Sequence, residues 1–119
     1  LMILRTEKGY LHVGVDTDGT TLPDDVGMAG PIMRKSSDFV GRRSLMREDA
    51  RRDDRLQFVG LRSEGPLLPV GAHVLGGAVP GPSDGHVTSS VYSPTLGAPI
   101  ALALVRRGRA RIGESVQLY

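Results

Sequence analysis

The sequence predicts an α+β fold that is mainly β. A short α/β N-terminal segment over residues 1–55 precedes a small antiparallel β-barrel over residues 56–119, with the boundary near Arg55. Three observations carry this reading. From Leu56 onward, short apolar runs recur at close spacing between Gly- and Pro-containing turns, the pattern of a small barrel or sandwich. Sixteen glycines and eight prolines interrupt the chain too often for long helices. Aromatic residues make up only 4% of the 119 residues, so a core must be assembled from Leu, Val, Ile and Ala. That length suits one domain or two small packed halves.

Taken in order, the chain opens on Leu11, Val13 and Val15 alternating with smaller or polar neighbours, which predicts a strand with one buried face. Gly9 would let the backbone bend beside Glu7. Read alone, Glu7 is a solvated carboxylate on an edge strand. Asp16-Thr17-Asp18-Gly19-Thr20 is a turn whose letters are shared with the nucleophile loop of haloacid-dehalogenase-type phosphatases. That chemistry needs a doubly wound parallel sheet with metal-binding acids at later strand ends, and nothing downstream alternates strand with helix in that way. An EF-hand reading fails too, because the third acid and the terminal Glu are missing.

Pro23, Asp24 and Asp25 mark a helix start, kept short by Gly27, Gly30 and Pro31. Asp38 is a good N-cap for a helix running through Phe39, Leu45 and Met46, expected over residues 38–47 as the longest in the chain. Arg42 and Arg43 on it either meet an anionic ligand or face solvent. Leu56-Gln57-Phe58-Val59-Gly60-Leu61 reads as a strand, followed by a loop with Gly65, Pro66 and Pro69. Further strands are expected at residues 72–75, 78–79, 86–92, 100–105 and 115–119. Gly76-Gly77 suits a hairpin turn, residues 80–85 a longer one, and Gly113-Glu114 the turn into the last strand.

Composition narrows the function classes. Zero cysteines exclude disulfides and thiolate metal sites and suit a reducing compartment. No apolar run approaches the ~20 residues that span a bilayer, and no signal sequence is recognisable, so the default is a cytoplasmic protein without a membrane partner. The chain nonetheless reads as a segment of something longer. Arginines cluster at residues 42–55 and 106–111, but Glu48, Asp49, Asp53 and Asp54 interrupt the first cluster and no aromatic interleaves for base stacking. A salt-bridged surface, not a nucleic-acid site, is expected. His12, His73 and His86 have no metal-ligand spacing. Ser89 and Ser90 have no His-Asp partners for a triad, and with Thr88 they suit hydrogen bonding across strands or at a domain interface.

Leu4-Arg5-Thr6-Glu7-Lys8-Gly9-Tyr10, Gly14, Asp16 and Thr21-Leu22-Pro23 resemble the folate-binding aminomethyltransferase family, which includes the glycine-cleavage T-protein and the C-terminal regions of dimethylglycine- and sarcosine-oxidising enzymes. Asp38-Phe39-Val40-Gly41-Arg42-Arg43-Ser44-Leu45 fits the same pattern. So do Gly85-His86-Val87-Thr88-Ser89-Ser90 and Ser93-Pro94-Thr95-Leu96-Gly97. The three blocks follow the family's order across nearly the whole chain, in wording nearest to sarcosine oxidase alpha subunits.

The resemblance implies an aminomethyltransferase-type C-terminal barrel and the transfer of a one-carbon unit from an amine to tetrahydrofolate, giving 5,10-methylenetetrahydrofolate. It assigns Glu7 to the pterin, whose adjacent N–H donors suit an ionised carboxylate. A basic family contact falls near Arg34 and Lys35, although counting without gaps reaches Ser36. Tyr10 stands either at the wall of that site or in the core. The family's catalytic Asp lies N-terminal to the matched stretch, so no catalytic residue is assigned and the chain alone is expected to be inactive. Asp16 is implied to be a structural acid. The resemblance further implies the other subunits of a sarcosine oxidase-like complex as partners, with flavin and NAD sites outside these residues. A reading of another class is a non-catalytic β-barrel module that packs against a partner chain.

Overall fold

A five-stranded antiparallel sheet forms the body of the molecule, described by a computed structural model at residues 1–76 and 81–119. Its strands are β1 (Leu56–Arg62), β2 (His73–Leu75), β3 (Ser83–Ser93), β4 (Ala98–Arg106) and β5 (Gln117–Leu118), in the spatial order β1-β4-β3-β2-β5. The mainly-β reading holds. The sheet is open, with β1 and β5 as its edges rather than paired to close a barrel.

β4 is the central strand, and its sequence explains why. Every residue from Ile100 to Val105 is buried, a continuous apolar run of the kind that a strand covered on both faces requires. Alternation sends Ala101, Ala103 and Val105 to one face, where they pack with Val59, Val74, Ala72 and Val87. Ile100, Leu102 and Leu104 face the other way. Ser89 stands opposite Leu102 and shares its face, and this is the face on which the N-terminal segment lies. Gly85 sits where β3 presses on β4, since a Cβ there would fall 1.9 Å from the Leu104 carbonyl oxygen.

The N-terminal segment departs from expectation in three places. Residues 2–8 are a helix, α1 (Met2–Lys8), not a strand. Gly9 ends it at φ 69°, with Gly9 N–H donating to the Thr6 carbonyl and Tyr10 N–H to the Arg5 carbonyl, the paired bonds of a Schellman stop. Val13 and Val15 then lie on turns, 79% and 45% exposed, so their alternation marks no buried face. Asp24 and Asp25 do not open a helix. Asp25 instead accepts the Leu22 N–H at 2.8 Å, and the short helix α2 (Ala29–Met33) starts later. No helix forms over residues 38–47. Gly41 turns to φ 92°, and only single 3-10 turns follow at Ser44–Met46 and Asp49–Arg51, leaving seven-residue α1 as the longest described helix.

In the second half, strands arise at five of the six expected runs. Ser83 to Gly85, expected in a turn, already belong to β3. The expected strand at residues 78–79 and part of the Gly76-Gly77 turn lie outside the described residues. β3 carries a bulge at Thr88: Val87 pairs with Ala103 and Ser89 with Leu102, leaving Thr88 as the extra residue.

Candidate functional site

α1 lies across β3 and β4, and its polar residues turn onto the sheet. Thr6 is buried and closes locally, its hydroxyl donating to the Met2 carbonyl at 2.8 Å. Arg5 and Glu7, one residue on either side of it, reach two different parts of β3.

Arg5 enters the bulge. Its Nη1 donates to Asp16 Oδ2 at 2.6 Å and to the Tyr10 carbonyl at 2.9 Å, and its Nη2 donates to the Ser89 hydroxyl. Asp16 is fully buried. Besides Arg5 it accepts from His12 N–H at 2.8 Å, Thr88 Oγ1 at 2.5 Å and Ser89 Oγ at 3.0 Å. In a regular strand Thr88 and Ser89 would point to opposite faces. The bulge turns both hydroxyls toward the same carboxylate. Burial opposes ionisation of Asp16, but the bonds from Thr88, His12 N–H, Arg5 and Ser89 outweigh it and hold the carboxyl below its usual value. Asp16 thus occupies the structural role implied for it.

Glu7 reaches the β3–β4 hairpin. Ser93 Oγ donates to its Oε1 at 2.5 Å and Thr95 Oγ1 to its Oε2 at 3.2 Å. Ser93 is itself fully buried and fixed by accepting the Leu96 N–H at 3.1 Å. The Ser93 hydrogen bond is the main reason that the Glu7 carboxyl ionises below its usual value; burial opposes this and Thr95 adds to it. Glu7 is half-buried, with one edge of the carboxylate on the hairpin. It is neither on a strand nor merely solvated.

Further along, Asp25 binds Arg55 through both oxygens, at 2.8 and 3.0 Å, and its carbonyl accepts the Phe58 N–H at 2.7 Å. The Asp25 hydrogen bond raises the pKa of Arg55 above its ordinary value, although burial acts against it. The Asp25 carbonyl, through Phe58, and the Asp16 carboxylate, through Thr88 and Ser89, tie residues before the boundary to the sheet.

The other expected site residues are dispersed. Tyr10 is 65% exposed, which removes its core alternative. Arg34 ends α2 and is exposed, as is Lys35. The Lys35 ammonium lies 5.9 Å from the Phe39 ring centroid, and the Arg42 guanidinium is at the same distance. Among the described residues, neither Arg34 nor Lys35 bonds to Glu7. Asp18, in the phosphatase-like stretch, closes its own turn by accepting from Thr20 N–H at 2.7 Å and Thr20 Oγ1 at 2.6 Å. No cluster of His and acidic residues among those described would hold a metal, and no described helix is long and apolar enough to cross a membrane. Within the arginine clusters, Arg52 is salt-bridged to Asp49 and Asp54 and Arg111 to Asp84 and Glu114.

The residues that sequence reasoning missed as partners are Ser93 and Thr95, for Glu7, and Arg5, for Asp16. Their signal was present only as polar residues in a hairpin and a helix next to better-known letters.

An antiparallel β-domain that grips an N-terminal helix by two carboxylates defines the class of protein. Residues 57–119, more than half of the chain, match the glycine cleavage T-protein C-terminal barrel domain, and the chain belongs to that family. Over 119 aligned residues, covering 94% of the chain, it is 46% identical to the sarcosine oxidase subunit alpha of Corynebacterium sp. (strain P-1). It is 42% identical to the subunit of the same name from Rhizobium meliloti (strain 1021), with all of the chain covered. The aminomethyltransferase of Thermotoga maritima is 35% identical over 96% of the chain. The chain spans 12% of the length of either alpha subunit and 30% of that aminomethyltransferase.

Proposed function

We propose that this chain is the C-terminal part of a folate-binding region like that of the sarcosine oxidase alpha subunits, where a one-carbon unit from an oxidised N-methyl amine is accepted to form 5,10-methylenetetrahydrofolate. In this reading residues 1–55 complete the folate-binding domain and residues 56–119 are its C-terminal β-domain. The observation that carries it is the state of Glu7: an ionised, half-buried carboxylate held by two hydroxyls from the sheet. A carboxylate has about four acceptor positions. The Ser93 and Thr95 hydroxyls use one on each oxygen, and the carboxylate keeps acceptor capacity for adjacent N–H donors. The donor set therefore fits a pterin edge. Tetrahydrofolate, when bound, supplies the nitrogen nucleophile that captures the one-carbon unit; Glu7 binds and orients it.

The remaining folate contacts, the catalytic acid and the flavin and NAD sites are assigned to the rest of such a protein, and the other subunits to a cytoplasmic complex. The apolar surface of the N-terminal segment supports a covering neighbour, since Leu4, Tyr10 and Val13 are 64%, 65% and 79% exposed. Tyr10, Arg34 and Lys35 stand in this proposal as further folate contacts. All three are accessible in the described structure, and none is committed to an ion pair.

The test is Glu7→Gln in the complete protein. Gln is nearly isosteric but must turn a donor toward either the ring or a hydroxyl. Loss of a charge-assisted bond is expected to cost about 1.5–3 kcal/mol, or roughly a tenfold to hundredfold drop in folate affinity. Amine oxidation should continue at its normal rate, with formaldehyde replacing methylenetetrahydrofolate as product. Unchanged folate affinity by calorimetry would remove the proposal's central residue.

A further inference from the structure

We infer that Ser93 and Thr95, on the β3–β4 hairpin, are positioning residues that aim the Glu7 carboxylate at the folate ring, so that the β-domain sets the geometry of a binding group carried by the N-terminal helix. The inference rests on the proposed pterin contact of Glu7 and adds the residues through which that contact is built.

The geometry is specific. A free Glu side chain turns about three bonds, and burying or fixing it has an entropic cost. Here that freedom is removed from two directions at once. Ser93 binds one oxygen and Thr95 the other, at 2.5 and 3.2 Å, so the plane of the carboxylate is fixed as well as its position. The Ser93 hydroxyl cannot rotate away without cost, because it accepts the Leu96 N–H at 3.1 Å in the same turn and is fully buried. The hairpin has a regular base: Ser93 pairs with Ala98, and Gly97 N–H donates to the Ser93 carbonyl at 2.9 Å with Gly97 at φ 63°. At the other end, α1 is anchored by Arg5 in the bulge. Glu7 is therefore held between two fixed points of β3, the bulge and the hairpin.

Charged neighbours do not account for this. On α1, Arg5 is engaged by Asp16 and Tyr10, and Lys8 forms no ion pair with Glu7. The hairpin, residues 93–98, contains no ionisable side chain. The Ser93 hydroxyl is the main group that favours the ionised carboxylate; burial opposes it, and the hydroxyl and backbone of Thr95 add to it.

The experiment measures tetrahydrofolate affinity by calorimetry as a function of pH in the complete protein, for Ser93→Ala, Ser93→Thr, Thr95→Val and Glu7→Gln. Ser93→Ala is expected to weaken binding about tenfold, and Thr95→Val about threefold, the scale of one hydrogen bond each. In Ser93→Ala the acid limb of the affinity profile should also move to higher pH than in the unaltered protein, because the bond that favours ionised Glu7 is gone. Ser93→Thr keeps a hydroxyl and should restore both affinity and profile. A purely structural loss would lower affinity without moving the profile. That outcome, or unchanged affinity in both hydroxyl variants while Glu7→Gln binds weakly, overturns the positioning role and leaves the Glu7 contact standing. Unchanged affinity in Glu7→Gln overturns both. If Ser93→Ala fails to fold, Thr95→Val decides, since Thr95 is exposed and Val preserves its shape: an unchanged affinity there sinks the inference.

Discussion

Arg5 Nη1 and Asp16 Oδ2 meet at 2.6 Å beneath the N-terminal turns, with the side chains 12% and 0% exposed. Withdrawing both charges from water is unfavourable, and the pair is tolerated because almost every polar position around it is used. Four donors converge on Asp16, and the Ser89 hydroxyl accepts from Arg5 while donating to Asp16, closing a ring of three. Among the described residues, only Arg5 Nε and, nearby on β3, Ser90 Oγ are buried side-chain polar atoms without partners. The pair thereby fixes α1 and the 10–16 turns on one bulge of the sheet, and with them the direction in which Glu7 leaves the helix.

Asp16→Ala should therefore be severely destabilising. It leaves a guanidinium uncompensated in the interior and removes the acceptor of the buried Ser89 hydroxyl, while Thr88 keeps the Leu102 carbonyl at 3.1 Å, a loss on the order of 3–5 kcal/mol. The measurement is the urea midpoint of unfolding. Asp16→Asn, which keeps the size and some hydrogen bonds, should fall between the two. A midpoint for Asp16→Ala within error of the unaltered protein would mean that the network contributes nothing net.

The same carboxylate sets a pH dependence. Its folded pKa lies below the ordinary value of about 3.9, so near that pH the unfolded chain binds more protons than the folded one. Stability then rises with pH through this range. The Asp16 contribution should be complete above the unfolded value and lost as pH falls through the folded one. Glu7, also lowered, acts in the same direction. Urea midpoints measured from neutral pH down into the acid range should fall for the unaltered protein and fall less steeply for Asp16→Asn. Parallel slopes would assign the acid sensitivity to other groups.

How much of this was legible follows from the range of each interaction. The strands of the second half were readable because each is a local apolar run closed by Gly or Pro, as in Ile100 to Val105. α1 was not. It begins at Leu1 without a capping side chain, and the later alternation of Val13 and Val15 imitates a strand although it lies on turns. Residues 38–47 carried a good cap at Asp38, yet one glycine in the left-handed region outweighed it. Glu7 stood out in the sequence as a motif carboxylate, and Thr88, Ser89 and Asp16 as structural residues. Their partners across the sheet lie 72 to 88 residues away in sequence. Local pattern has no access to such pairs, and the bulge that aligns Thr88 with Ser89 leaves no mark in composition.

The last prediction concerns the boundary at Arg55. A division into residues 1–55 and 56–119 would ordinarily suggest two units that unfold separately. The structure places strong cross-boundary bonds instead. Phe58 N–H donates to the Asp25 carbonyl at 2.7 Å, and the Thr88 and Ser89 hydroxyls donate to the fully buried Asp16 carboxylate at 2.5 and 3.0 Å. Ile100, Leu102 and Leu104 lie on the sheet face that the N-terminal segment covers, and a sheet stripped of that segment would expose them. We therefore expect one cooperative transition for the whole chain, with far- and near-ultraviolet signals coincident. In a double-mutant cycle across the boundary, Asp16→Asn and Thr88→Val should couple by roughly 0.5–3 kcal/mol, as contacting residues in one network do. Two resolved transitions, together with coupling near zero, would mean that the halves are independent and that the Asp16–Thr88 contact is incidental to holding Glu7 against the β-domain.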